Sequence, residues 1–179
     1  MVSRVAWARV VVRGSGGLEQ RSGSPPEDQG RSGGLEQRSG SAPVDTEEVT
    51  GEIGPGLLVL VWVGRDDGPA EAAWLAEKVA GLRVFDDEAG VPNRCLSEAG
   101  GGALVVSQFT LYGDARRGRR PSYVAAARPE EAAPLVEAVA SALAATGLTV
   151  AQGRFRAHMR VESAGDGPFT ILLDSEKGF

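Results

Sequence analysis

The sequence is poor in the side chains that most often perform chemistry. It holds one cysteine, Cys95, and one histidine, His158. A single cysteine cannot form an intramolecular disulfide and suits a reducing compartment. One histidine and one cysteine leave no ligand set for a His/Cys zinc site, and neither a metal nor another cofactor is expected. Long apolar stretches are missing too. The longest, Leu57 to Val63, is far too short to span a bilayer. The opening residues Met1-Val2-Ser3-Arg4-Val5 lack the apolar core of a secretory signal, so the expectation is a cytoplasmic protein with no membrane partner. The net charge of −5 argues against a general nucleic-acid coat, though not against a local basic patch. What is present suits one soluble domain: 179 residues, 42% hydrophobic and 24% charged, are enough for a sizeable core.

Valine-rich residues 2 to 13 predict a first strand. The composition then shifts to Gly, Ser, Pro, Gln and charge over 14–47, where Ser15–Ser24 recurs as Ser32–Ser41, a period of 32 − 15 = 17 residues. Two copies with one leucine each cannot bury an apolar face. The segment is therefore expected to be a disordered, internally duplicated insertion within a single domain spanning 1–179. Its Gly30-Arg31-Ser32-Gly33-Gly34 matches a G-x-S-x-G nucleophile pattern but lacks the strand–turn–helix context that pattern requires. Residues 48 to 53 can pair with the first strand, placing the insertion at a hairpin tip. Residues 57 to 63 predict a buried strand. Residues 70 to 82 carry apolar positions at helical spacing, and 83 to 85 predict a short strand before an acidic turn. A central strand is expected over 103–110. A second helix is expected over 129–146, with Pro134 tolerated near its first turn. Strands over 148–152, 155–163 and 168–174 close the chain. The order favours an α+β domain, with two main helices packed on a largely antiparallel, barrel-like sheet.

The central strand delivers Ser107, Gln108 and Thr110 to its end, beside a loop holding Arg116, Arg117, Arg119 and Arg120. Clustered arginines suit phosphate, although such a run is often only a solvated turn. Ser107 and Thr110 could act as nucleophiles only with a base in hydrogen-bond reach. His158 falls in an expected strand with no oriented partner and reads as an ordinary residue. Cys95 reads as a small hydrophobe and the Asp86-Asp87 pair as turn chemistry. Phe109, Tyr112, Tyr123 and Phe155 are aromatic groups that could stack on a base, or simply core. The residues thus offer binding groups without an acid–base machine.

SQFTLYGD at 107–114 with RRGRRPSY at 116–123 resembles the D-aminoacyl-tRNA deacylase family, also known as D-tyrosyl-tRNA deacylases. GEIGPGLLVLV at 51–61, LRVFDDEAG at 82–90 and DGPFTILLDS at 166–175 add to the resemblance, which covers most of the chain apart from the insertion. It implies a homodimeric hydrolase that cleaves the ester joining a D-amino acid, or mischarged glycine, to the 3′-terminal ribose of tRNA. Ser107, Gln108, Phe109 and Thr110 would line the pocket. Gly167 and Pro168, a cis dipeptide in the family, would enter the partner subunit's pocket. Phe155, Ala157 and Met159 would flank the terminal adenosine. The family's chemistry leans on the RNA's own 2′-hydroxyl, in keeping with the missing base. Three departures stand out: the first strand starts a few residues short of the family's usual start, Gly165 replaces an asparagine, and Arg156 replaces a glycine.

Overall fold

The computed structural model describes residues 1–13 and 47–176. The insertion and its G-x-S-x-G match therefore lie outside the described residues, apart from Glu47. The first strand, β1 (Val2–Arg13), pairs antiparallel with β2 (Glu47–Ile53), and Arg13 stands opposite Glu47. After a bend at Gly54 and Pro55 the chain continues in the same direction along the same edge of β1 as β3 (Gly56–Val61), with Val2 opposite Val59. Helix α1 (Pro69–Gly81) follows; the Glu71 carboxylate accepts the Gly68 N–H at 2.8 Å and caps its start. Two short strands, β4 (Phe85–Asp86) and β5 (Pro92–Arg94), form a separate ribbon. Strand β6 (Gly102–Ser107) leads to a 3₁₀ turn over Phe109–Tyr112. Helix α2 (Pro129–Ala145), β7 (Thr149–Gln152) and β8 (Met159–Ile171) complete the order.

The main sheet runs β2-β1-β3-β6-β7, with β8 on the other edge of β1. It is a mixed, barrel-like sheet: β1 is antiparallel to β2, β3 and β8, whereas β3, β6 and β7 run parallel. Alternation along β3 and β6 divides the core in two. Leu57, Val59, Val61, Ala103 and Val105 face α1 and α2, meeting Ala76, Val79, Val139 and Leu143. Leu58, Leu104 and Val106 face the barrel interior with Val5, Ala8, Val10 and Ile53. Strands buried on both faces read as unbroken apolar runs, which is why 57–61 and 103–106 hold no charge.

Three expectations about elements need correction. The central strand stops at Ser107, not Thr110. Its neighbour β3 ends at Val61, opposite Ser107, and Gln108 N–H donates the last rung to the Val61 carbonyl at 2.7 Å. Without a neighbour to pair with, the chain rolls into 3₁₀ turns, Leu111 N–H to Gln108 O and Gly113 N–H to Thr110 O. The expected strands 155–163 and 168–174 are one strand, Met159–Ile171, preceded by a turn at 155–158. Residues 83–85 give way to the β4–β5 ribbon, which does not join the main sheet. Pro134 lies in the second turn of α2, and the helix runs through it.

Candidate active site

Strands β3 and β6 run parallel and end at the same level, and a cavity of about 650 Å³ opens beyond their carboxyl ends. Ser107 at the end of β6 with Gln108 just after it, and Val61 at the end of β3 with Trp62 and Val63 beyond it, form one side. Phe109, Tyr123 and the segment Ala126–Pro129 form another, continuing into Ala132 and Val136 of α2. The third side is the turn Phe155–His158 with Met159 and Val161 of β8. The wall leading into α2 is tied down: Ala127 N–H donates to the Val63 carbonyl at 2.9 Å, and Gly64 bridges Ala126. Phe109 and Tyr123 meet edge to face at the rim, 5.2 Å between centroids. Phe109 stays 59% exposed, so the rim offers a large apolar surface.

Of the expected pocket residues, the fold gathers Ser107, Gln108, Phe109, Phe155, Ala157 and Met159 around this one cavity. Thr110 sits just outside, on the exposed 3₁₀ turn, where its Oγ1 accepts from the Gln108 side-chain amide. Among the described residues no carboxylate or imidazole bonds Ser107 or Thr110. Tyr112 backs the turn edge-on against Trp62; burial and the nearby Asp67 carboxylate push its phenol up, so it stays neutral. His158 belongs to the turn before β8, not to a strand, and it lines the cavity with Arg128 and Arg156. No aspartate or glutamate lines it among the described residues.

The arginines of 116–120 lie away from the cavity, on a loop closed by paired backbone bonds between Asp114 and Ser122 and turning at Gly118, where φ is 77°. Arg116 folds back on Asp114, its Nε and Nη2 donating at 2.8 and 2.7 Å. That pairing, with the Arg116 backbone N–H, lowers the Asp114 carboxyl to about 2. Arg117, Arg119 and Arg120 are exposed and free of side-chain bonds among the described residues.

Gly167 and Pro168 are also absent from the cavity of their own chain. They lie on a bulge of β8: Ser3 pairs with Thr170 and Val5 with Gly165, so Arg4 alone faces residues 166 to 169. The Gly167–Pro168 peptide is cis, both residues are exposed, and Gly167 has φ of 130°. A Cβ there would meet Phe169 N at 2.8 Å, so only glycine fits. Arg4, missed in the sequence reading, holds the bulge. Only 8% exposed, it donates through Nε to the Asp166 carbonyl at 3.1 Å and through Nη1 to the Val84 carbonyl at 2.9 Å. It also pairs with the Asp86 and Asp166 carboxylates and lies over the Phe169 ring, 5.6 Å from its centroid. The signal was legible: Arg4 falls on the same alternation of β1 as the buried Val2, Ala8, Val10 and Val12.

A family model described as D-Tyr-tRNA(Tyr) deacylase matches residues 35–174. The D-aminoacyl-tRNA deacylase of Symbiobacterium thermophilum is 61% identical over 74% of this chain and 87% of that relative. The one from Heliobacterium modesticaldum is 58% identical over 72% of this chain and 85% of its own. A solved structure named c-Myc DNA Unwinding Element Binding Protein superposes with a TM-score of 0.73 at 29% identity, covering 97% of this chain and 96% of that one. With a family model matched over most of its length and relatives more than half identical, this chain belongs to the D-aminoacyl-tRNA deacylase family of hydrolases.

Proposed function

We propose that this chain works in the cytoplasm as a homodimer that hydrolyses the ester between a D-amino acid, or glycine, and the 3′-terminal ribose of tRNA. The reaction would serve chiral proofreading in translation. The observation that carries this reading is the cavity beyond β3 and β6, which has hydroxyl and amide groups at one end, walls that are apolar apart from Arg128, Arg156 and His158, and, among the described residues, no side-chain base on Ser107 or Thr110. Water adds to the ester carbonyl, the acyl–oxygen bond breaks, and the ribose oxygen leaves with a proton. The RNA's 2′-hydroxyl assists in place of a protein base. Ser107, Gln108 and Thr110 orient the ester, and the Thr110 oxygen already accepts from Gln108, which favours a binding role over attack. Phe155, Ala157 and Met159 take the adenosine, and Phe109 the rim.

Gly167 and Pro168, exposed on their bulge, enter the partner's cavity. Their carbonyls accept from the substrate ammonium, and the tight backbone leaves no room for an L side chain. Arg117, Arg119 and Arg120 hold tRNA phosphates, with Arg116 ordering their loop. The test is ester loss from D-Tyr-tRNA, L-Tyr-tRNA and glycyl-tRNA. D-Tyr and glycyl esters should disappear while L-Tyr-tRNA survives. Equal loss of both tyrosyl esters would overturn the stereochemical reading. Binding of tRNA with no ester loss would leave a catalytically silent tRNA-binding relative.

A further inference from the structure

The charges around the cavity do not resemble those of the chain. The whole chain carries −5, yet Arg128, Arg156 and His158 line the cavity with no aspartate or glutamate among the described residues. Among the described residues, neither arginine spends its guanidinium on a neighbour. Glu131 accepts only the backbone N–H of Arg128, at 3.2 Å. Beside Arg156, by contrast, Arg154 is tied to Glu48 at 2.7 Å.

The backbone adds a second observation. Ala157 N–H donates to the Arg154 carbonyl at 3.2 Å, closing a turn whose third residue, Arg156, has φ of 61°. Glycine or asparagine suits that position, and a bulky residue at such a φ is rare. Strain of this kind gathers at ligand sites. Here it sits on a residue that lines the cavity and whose planar fork suits phosphate oxygens.

We propose that Arg128 and Arg156 form a phosphate clamp at this cavity, holding the 5′-phosphate of the terminal nucleotide of tRNA, with an N–H of His158 as a third donor. The inference rests on the proposed function, because it needs the terminal adenosine in the cavity. Two guanidinium groups with no partner and no opposing carboxylate among the described residues would attract the phosphodiester as the RNA end enters.

The test uses adenosine and adenosine 5′-monophosphate, titrated into the full chain and followed by the fluorescence of Trp62, which lines the cavity. The monophosphate should bind about tenfold more tightly than the nucleoside at low salt, as for one charge-assisted contact. In Arg128→Ala/Arg156→Gly the advantage should fall to within about twofold, as expected of a single lost charge-assisted site, while adenosine affinity is kept. Glycine relaxes the turn, and Arg156→Asn, which also tolerates that φ, checks that the charge and not the backbone is responsible. Equal binding of the two probes by the unaltered chain, or an advantage that survives in the double variant, overturns the clamp alone. If adenosine does not bind, the cavity is not the terminal-nucleotide site, and the clamp falls with the proposed function.

Discussion

Arg4 makes the case for one residue governing another's position. Its buried guanidinium serves two carbonyls and two carboxylates from two separate segments, around Val84–Asp86 and at Asp166. The carboxylates of Asp86 and Asp166 are about half exposed and stay solvated without it, whereas the carbonyls of Val84 and Asp166 lose a donor. Arg4→Met keeps most of the volume and removes every donor. It should cost about 3 kcal/mol, since each orphaned acceptor costs about 1–3 kcal/mol. The urea midpoint should fall, and a midpoint within error of the parent would show that water replaces the guanidinium. Arg4→Lys should recover only part, because an ammonium cannot span both carbonyls. Asp114 offers a titration. Arg116 holds its carboxyl at about 2 in the folded loop, below the ordinary 3.8. A depressed pKa means the ion pair's contribution is present above pH 3.8 and is lost as pH falls through about 2. Carbon chemical shifts should place the Asp114 midpoint near the lower value, and Arg116→Ala should return it toward the ordinary one.

Gly56 and Gly102 show what the elements tolerate. A Cβ on Gly56 would stand 1.9 Å from the Gly102 carbonyl oxygen, inside the β3–β6 pairing. Gly56→Ala must therefore force apart two strands whose far ends frame the cavity. It should cost about 3 kcal/mol or more, at the upper end for overpacking. Gly54→Ala, with nothing within 4 Å of its Cβ, should stay within about 0.5 kcal/mol. Calorimetric melting of the two variants checks both. Much at this scale was legible from residue order. The apolar runs 57–61 and 103–106, the helical spacing of Ala72, Ala76 and Val79, and the prolines at the helix starts each have one local cause. Where the reading failed, the cause was not local. Ser107 to Tyr112 alternates like a strand, and only the departure of β3 turns it into 3₁₀. The residues at 166–169 read as a break between two strands because the bulge is set by Arg4, more than 160 positions away, at an |i−j| of 162. The candidate site followed the same rule. Ser107, Gln108 and Phe109 were visible as one stretch, whereas Arg128 reaches the cavity only because α2 begins there.

At the scale of the whole molecule, the segment 14–46 joins two strands that already meet at Arg13 and Glu47. We propose that it is dispensable. Replacing it with Asn-Gly should preserve deacylation and raise stability, each halving of a loop contributing about 0.6 kcal/mol. A variant that fails to fold, or loses D-specific ester loss at saturating tRNA, would give the insertion a structural or functional role. The pairing of β1 with β8 has a different consequence, one that concerns synthesis. Val2 to Val12 find partners on one edge in β2 and β3 soon after they emerge, but the other edge waits for Met159 to Ile171. Until then a nascent chain carries an open valine-rich edge, the kind of surface that pairs with other chains. Arg4 waits with it, since Asp166 reaches the ribosome's exit only with the last strand. A pause in translation between α2 and β8 would lengthen that exposure, making the pace of the final segment a determinant of how much protein reaches the folded state.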